Sequence, residues 1–475
     1  MTGLLTGPLA RQQPLDACAR QGGATRDVTR PIVFDDLPAV CVEVDLGAPP
    51  DVLERIDDEG NPRTVFVLVR LHTHPLGTVI LDSTCDLRWL THASTVWSSM
   101  RDAANAHLVA DGLPVVGDWT ELAGPPTSTP RCVSRRRTVL ANPPRVTVVV
   151  ATRDRPRLLR TCLDALLDLT YPDYEVVVVD SAPATSATAT LVNNGYCQYV
   201  RYVRENSRGL AAARNRGLHE ATGSIIAFVH DDVIVDRHWL TAVAEGFHTS
   251  AAVGCVTGLV APTELVTAAQ LLRHHHDSAG RPFTQTVFGT TRHRPGAALS
   301  ISSARCLGSG ANMAFDTAVL RALGGFDPAT GIGTSAHGGD DLAAFARVLL
   351  DHELVHQPSA VAVRRHDRDV AGLLDQAYDY GVGLGVAMTS VLLREPGIWA
   401  ACLRRFPAAL VRAIKVSVGR NQSGYAGLPV DLTRIERRGL LAGPVVYLVS
   451  RWRGSRPPAE VTVAAPRPMQ ARWRR

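Results

Sequence analysis

No two of the nine cysteines are separated by two residues, so the paired spacing typical of a zinc site is missing. Several lie inside apolar runs, where cysteine acts as a small core residue, and reduced thiols in a cytoplasm fit that usage. Lysine is nearly absent. Lys415 is the only one, so the cationic groups are almost all arginine. No apolar run reaches the ~20 residues of a spanning helix. The longest are Gly381–Leu393, broken by Thr389 and Ser390, and Gly439–Val449, flanked by arginines. The opening MTGLLTGPLARQQP lacks a charged start with a sustained apolar core, so no signal peptide is expected. No internal repeat is evident. No Gly-x-Gly-x-x-Gly follows the first strand of the central region, which argues against dinucleotide redox chemistry.

What is present is enough for two or three domains. Of the 475 residues, 45% are hydrophobic and 20% charged, a globular balance. Charge is uneven. Residues 394–475 hold 16 Arg or Lys against four Asp or Glu, so the remainder is acidic although the whole chain is +5. Such asymmetry points the tail toward an anionic surface such as lipid head groups. A solubilising tail is the plainer alternative.

The polar residues 1–30 are expected to be disordered. From 31 to 125, VCVEVDL, TVFVLVRL and GTVILD, separated by Gly, Pro and Asp, predict a small α+β domain of unassigned role. His72 and His74 alternate along one strand there, with no third ligand close in sequence, so a solvent-facing pair is expected. Residues 126–144, rich in Pro, Ser and Arg, read as a linker. Residues 145–395 alternate strand and helix patterns. Arg145–Thr152 is a strand. Asp154 is a plausible N-cap for the helix that follows, and Pro156 suits its first turn. EVVVVD, ending at Asp180, is a strand buried on both faces. Gln198–Arg204 and Ser224–Val229 are two more, with an Ala-rich helix between them. The order gives an α/β fold, an open and mostly parallel sheet with helices on both faces, and it puts ligands at the carboxyl ends of the strands. Thr152, Asp180 and Asp231 fall at such ends. The adjacent carboxylates of Asp231 and Asp232 suit Mg²⁺ or Mn²⁺ carrying a diphosphate, because these cations prefer oxygen ligands. His274, His275 and His276 read as a loop, since consecutive side chains point different ways.

VVVATRDRP, VVVVDS, GLAAARNRG and FVHDDV, followed by GSGANMAF, LGGFD and GGDDLAAF, resemble the motifs of family 2 glycosyltransferases of the GT-A fold over roughly residues 145–395. The resemblance implies an inverting enzyme that moves a sugar from a nucleotide diphosphate donor to a hydroxyl acceptor, with Mg²⁺ or Mn²⁺. A glycan or lipid-linked acceptor in cell-envelope or polysaccharide synthesis is expected, and no nucleic acid. Thr152, Arg155, Asp180, Arg214 and Asp231 would bind the nucleotide sugar. Asp232 would ligate the metal, with His366 a further ligand. Asp341 would be the base, beside Asp340. His230 stands where many relatives have Asp, a departure that bears on metal geometry. A nucleotidyltransferase, or a nucleotide-sugar-binding scaffold without activity, is the competing reading. Residues 396–475 are expected to form basic amphipathic helices. In IWAACLRRFPAALVRAIKVSV and RRGLLAGPVVYLVSRWR, arginines and aromatics flank apolar positions, the pattern of a helix in the head-group plane. The protein is expected in the cytoplasm, peripheral on the inner face of the cell membrane.

Overall fold

The computed structural model describes residues 32, 36–53, 64–81, 88–122, 128–278, 282–289, 307–365, 368–395 and 432–454. The expected disordered start, the first amphipathic C-terminal piece and His366 lie outside the described residues.

The N-terminal unit holds β1 (Ala39–Asp45), β2 (Thr64–Leu71), β3 (His74–Leu81) and α1 (Trp89–Ala110). β1 runs parallel to β2, and β3 antiparallel to it. Val65–Val69 of β2 read as an unbroken apolar run because both faces of the strand are covered. Val65, Val67, Val69 and Leu71 pack with β1 against Trp89, Val96 and Trp97 of α1. On the other face, Phe66 meets Leu265 and Leu271, and Leu68 meets Leu259 and Val361. Successive strand residues point to opposite faces, which divides the run between two cores. The segment expected to be a linker contains a helix, α2 (Arg131–Ala141), that starts after Pro130, buries Val139 and pairs Arg136 with Glu245 at 3.1 Å. Its Ser- and Arg-rich composition conceals it because it needs only one buried apolar side chain, Val139.

The central region follows as β4 (Val146–Thr152), α3 (Pro156–Leu167), β5 (Tyr174–Ser181), α4 (Ala187–Gly195), β6 (Val200–Glu205), α5 (Leu210–Glu220), β7 (Ile225–His230), β8 (Val233–Val235), α6 (Trp239–Phe247), β9 (Val253–Pro262), β10 (Glu264–Leu265), α7 (Ala268–Ser278), β11 (Thr286–Phe288), β12 (Asn312–Asp316), α8 (Thr317–Ala322), α9 (Asp340–Asp351) and β13 (Glu353–Arg364). Two long helices complete it, α10 (Val370–Arg394) and α11 (Leu432–Gly454). A nine-stranded sheet runs in the order β11-β13-β9-β12-β7-β4-β5-β6, with β8 beside β13. β6, β5, β4 and β7 are mutually parallel, as are β9 and β13, while β12 runs antiparallel between β7 and β9. This is the mostly parallel α/β sheet with helices on both faces that the strand and helix pattern predicts. Val146, Val148 and Val150 of β4 enter one core with α3 and α6, and Val149 enters the opposite core with α5 and α9.

Three local expectations are corrected. Asp154 does not cap α3: it has φ 54°, and its carboxylate accepts the backbone N–H groups of Ala184 and Thr185. Arg155 takes the N-cap place, with Pro156 in the first turn as expected. His274–His276 lie in helix α7. Tyr447 is buried, its hydroxyl donating to Asp327 at 2.8 Å, and is not an interfacial aromatic.

α10 and α11 pack at backbone distance. A Cβ on Gly385 would lie 2.5 Å from the Leu440 carbonyl oxygen, and one on Gly443 would lie 2.6 Å from the Gly385 Cα. The outer side of α11 carries Leu441, Val445, Leu448 and Trp452, between 56% and 77% exposed and spaced by four, three and four residues. Arg434 and Arg438 extend this exposed row toward the helix start. Among the described residues no helix is long and apolar enough to cross a membrane.

Asn312 closes the sheet interior. β13 bulges between Gln357 and Val361 where it pairs with β9, and the Asn312 amide donates to the carbonyls of Ala360 at 2.8 Å and Leu259 at 2.9 Å. Its oxygen accepts the Trp239 indole N–H at 2.8 Å. Asn312→Leu keeps similar volume and leaves a buried donor and two carbonyls short of a partner. A stability loss of about 2–5 kcal/mol is expected in equilibrium chemical denaturation, since each such group costs about 1–3 kcal/mol.

Candidate active site

The parallel ladder brings the strand ends level. Thr152 pairs with Asp180 across β4 and β5, and Ala151 pairs with His230 across β4 and β7. The polar residues that end these apolar runs therefore gather at one edge. Thr152 donates its hydroxyl to Asp231 at 2.7 Å, and Arg155 donates to the other Asp231 oxygen at 3.3 Å. Asp232 accepts from Arg364 at 2.8 Å and lies 3.8 Å from Arg155. Its second oxygen, Oδ1, is buried with no hydrogen-bond partner. Burial pushes the Asp231 carboxyl above its ordinary range, partly offset by Thr152 and Arg155. Burial also opposes ionisation of Asp232, but Arg364, with Arg155, outweighs it and holds the group below the usual range.

A second acid pair sits at the start of α9. Gly339, at φ 86°, turns the chain into that helix, and a Cβ there would lie 2.2 Å from the Gly383 carbonyl oxygen of α10. The close approach that this glycine allows is to a helix backbone. Asp340 is 3% exposed and ion-paired with Arg214. Asp341 is half-buried. Its Oδ2 accepts the Gly310 N–H and its Oδ1 the Leu342 N–H, each at 2.8 Å.

Arg214 joins the two pairs. It is 2% exposed, far from an ordinary surface arginine on a helix. Besides Asp340 it donates to the Gly310 carbonyl at 2.7 Å and to His230 Nε2 at 3.1 Å, and its guanidinium lies 5.4 Å from the Phe326 ring centre. Arginine is always protonated, so His230 Nε2 is the acceptor and the imidazole is neutral. Burial, with Arg364 and Arg214 nearby, pushes the His230 pKa down to about 3. With its partners buried around it, Arg214 faces the acids and not an open cleft.

Asp180 sits one strand over, fully buried, and accepts from the Tyr202 hydroxyl at 2.9 Å. Burial and Asp180 push that phenol up to about 12. The fold thus gathers Thr152, Arg155, Arg214, Asp231, Asp232, Asp340 and Asp341, with Asp180 on the adjacent strand. Arg364 and Tyr202 were given no role in the sequence reading, and Gly310 and Phe326 entered it only as members of GSGANMAF and LGGFD. Arg364 ends an apolar strand as Asp180 does, and that position was its only signal. The site can hold a divalent cation at one evident atom, Asp232 Oδ1, whose carboxylate is kept ionised.

Residues 147–304 match the family model described as Glycosyl transferase family 2. O-antigen biosynthesis protein RfbC of Myxococcus xanthus is 30% identical over 196 residues, 39% of this chain and 15% of that protein. A pre-mycofactocin glycosyltransferase of Mycobacterium tuberculosis is 26% identical over 240 residues, 50% of this chain and 46% of that one. The chain thus spans less than half the length of these curated relatives. A solved structure, a mannosyltransferase from Pyrobaculum calidifontis in complex with GDP-Man and Mn²⁺, is 21% identical with a TM-score of 0.38, covering 67% of this chain and 92% of that one.

Arg214→Met leaves Asp340 as a buried carboxylate without its cation. Removing one partner of such a pair costs about 3–5 kcal/mol. Adding Asp340→Asn should recover part of that loss, and denaturation of both single variants and the double variant measures the coupling.

Proposed function

We propose that this chain, whose residues 147–304 match the Glycosyl transferase family 2 model, is an inverting glycosyltransferase using a nucleotide diphosphate sugar and a hydroxyl acceptor. The observation that carries this reading is the hydrogen-bonded line from His230, which adjoins the Asp231–Asp232 pair in the chain, through Arg214 to Asp340, with Gly310 completing it to Asp341. It joins an acid pair suited to a cation with an acid suited to proton removal.

In this reading Thr152, Arg155 and Asp180 bind the nucleoside side of the donor, and Asp180 is pre-set by Tyr202. Asp232, whose Oδ1 is buried without a partner, would hold Mg²⁺ or Mn²⁺. When bound, that cation neutralises charge on the diphosphate leaving group. Arg155, with a side chain 55% exposed, is free to swing from Asp231 toward the phosphates. Arg214 acts as a positioning residue and not as a phosphate ligand. Asp341 is the base. Two backbone N–H groups orient its carboxylate, and it is more accessible than Asp340, which Arg214 occupies. As the acceptor oxygen attacks the anomeric carbon, its proton passes to Asp341 and the bond to the diphosphate breaks, which inverts that carbon.

The outer row of α11 supports a peripheral position on an anionic membrane and with it a lipid-linked acceptor. Leu441, Val445, Leu448 and Trp452 form an apolar strip that continues from exposed Arg434 and Arg438. An interfacial helix combines these features.

Release of sugar and nucleoside diphosphate from candidate donors with Mn²⁺ tests the reaction class. Release of nucleoside monophosphate, or no turnover with any donor, would reject it. Asp341→Asn should leave donor affinity nearly intact and lower transfer about 10²–10⁴-fold, whereas Asp232→Ala should abolish the response to added metal. Equal transfer by Asp341→Asn and the unmodified chain would place the base elsewhere. For the membrane reading, Leu441→Asp with Trp452→Asp should reduce co-sedimentation with vesicles rich in anionic lipid. Binding that ignores both the substitutions and added salt counts against it.

A further inference from the structure

Among the described residues, another group of convergent ligand atoms lies in the N-terminal unit and at the start of α2. His72, His107, Asp111 and Cys132 each offer one atom, and the four atoms lie within 4.8 Å of one another. His72 sits at the β2–β3 turn, His107 and Asp111 are one turn apart at the end of α1, and Cys132 opens α2. The partner found for His72 is thus His107, not His74, and the group holds a single cysteine, which is why no paired cysteine spacing announced it.

The distances carry the argument. His72 Nδ1 lies 3.2 Å from Asp111 Oδ2, His107 Nε2 lies 3.3 Å from the same oxygen, and the two ring nitrogens are 3.3 Å apart. Cys132 Sγ lies 3.8 Å from His72 Nδ1 and 2.7 Å from Asp111 Oδ2. Ligands about 2.0–2.3 Å from a tetrahedral ion stand roughly 3.3–3.7 Å from each other. Four of the five distances sit close to that edge length, and the short one is a thiol hydrogen bond to a carboxylate. Without an ion the arrangement is awkward. One imidazole can accept from the other at 3.3 Å, but Asp111 Oδ2 is then still left to take both the Cys132 thiol and an imidazole, a conflict of donors on one oxygen. A cation bound by neutral imidazoles, a thiolate and a carboxylate removes that conflict. Thiolate and imidazole ligands disfavour Mg²⁺ and Ca²⁺ and favour Zn²⁺.

We propose that His72, His107, Asp111 and Cys132 form a structural zinc site that fastens the N-terminal sheet and α1 to the helix leading into β4. Four protein ligands close the coordination shell, which fits a structural and not a catalytic ion. The thiolate and carboxylate balance its charge. Asp111 Oδ1 accepts the Cys132 N–H at 3.0 Å, and the Asp111 carbonyl accepts the Arg131 N–H at 3.2 Å, so the carboxylate is oriented by the segment it joins. The His72 and His107 side chains are 18% and 15% exposed, enough for an ion to enter.

The full chain, purified without added metal, is analysed by plasma mass spectrometry. About one zinc per chain is expected. Asp232→Ala should retain it, which separates this site from the strand-end acids, and Cys132→Ser and His107→Gln should lose it. Unmodified chain that holds no zinc, and takes none up against a chromophoric chelator, overturns the proposal, as does zinc that persists in Cys132→Ser or disappears in Asp232→Ala. Cobalt loading of the unmodified chain gives a reading independent of variant folding. Intense tetrahedral visible bands with a thiolate charge-transfer band in the near ultraviolet are expected, and a weak octahedral spectrum overturns the assignment.

Discussion

One buried cation organises the centre of this molecule. Arg214 enters the interior from α5 and is met by a carboxylate from the start of α9, an imidazole from the end of β7 and a carbonyl from the loop before β12. Charges are costly to bury, and the cost is offset only when the remaining donors find partners. Here they do. His230 therefore has a structural reason to be histidine: a neutral ring nitrogen accepts from Arg214 without adding a further negative charge beside Asp231 and Asp232. Asp340 likewise serves the arginine first, which leaves Asp341 as the freer acid.

The surrounding charges are nearly balanced. Four carboxylates, Asp231, Asp232, Asp340 and Asp341, meet three guanidiniums, Arg155, Arg214 and Arg364. In the proposed reaction a cation and a diphosphate would then arrive as a pair of opposite charge, so the site would avoid either large desolvation alone. The exposure of Arg155 and the burial of Arg214 divide the arginines into one that can move and one that cannot.

The strands were legible because residues such as Val148, Val149, Val177 and Val178 bury both faces of the sheet and leave unbroken apolar runs. Their polar ends were legible for the same reason: Thr152, Asp180 and Asp231 stop those runs. α2 was hidden because it buries little, and α7 because three histidines in a row resemble a loop while the helix is secured by Leu271 and Leu272. The partners Arg364, Gly310 and Tyr202 come from strands and loops that only the sheet order brings alongside. The same holds for His107, Asp111 and Cys132, whose sequence separations from His72 carry no motif.

The boundary at which family similarity begins is not a boundary of the folded object. β10, which follows β9 of the central sheet, pairs with β1, and Arg70 of the N-terminal sheet is bonded to Asp236 at 2.9 Å. Leu265 and Leu271 are buried only with Phe66 and Cys41 above them. The described residues of the N-terminal unit are thus not an interchangeable cassette set in front of the central region. Grafting them onto another central region, or replacing them, would require a matching strand, a matching apolar seam and a matching acid at position 236, so any change on one side of the seam constrains the other.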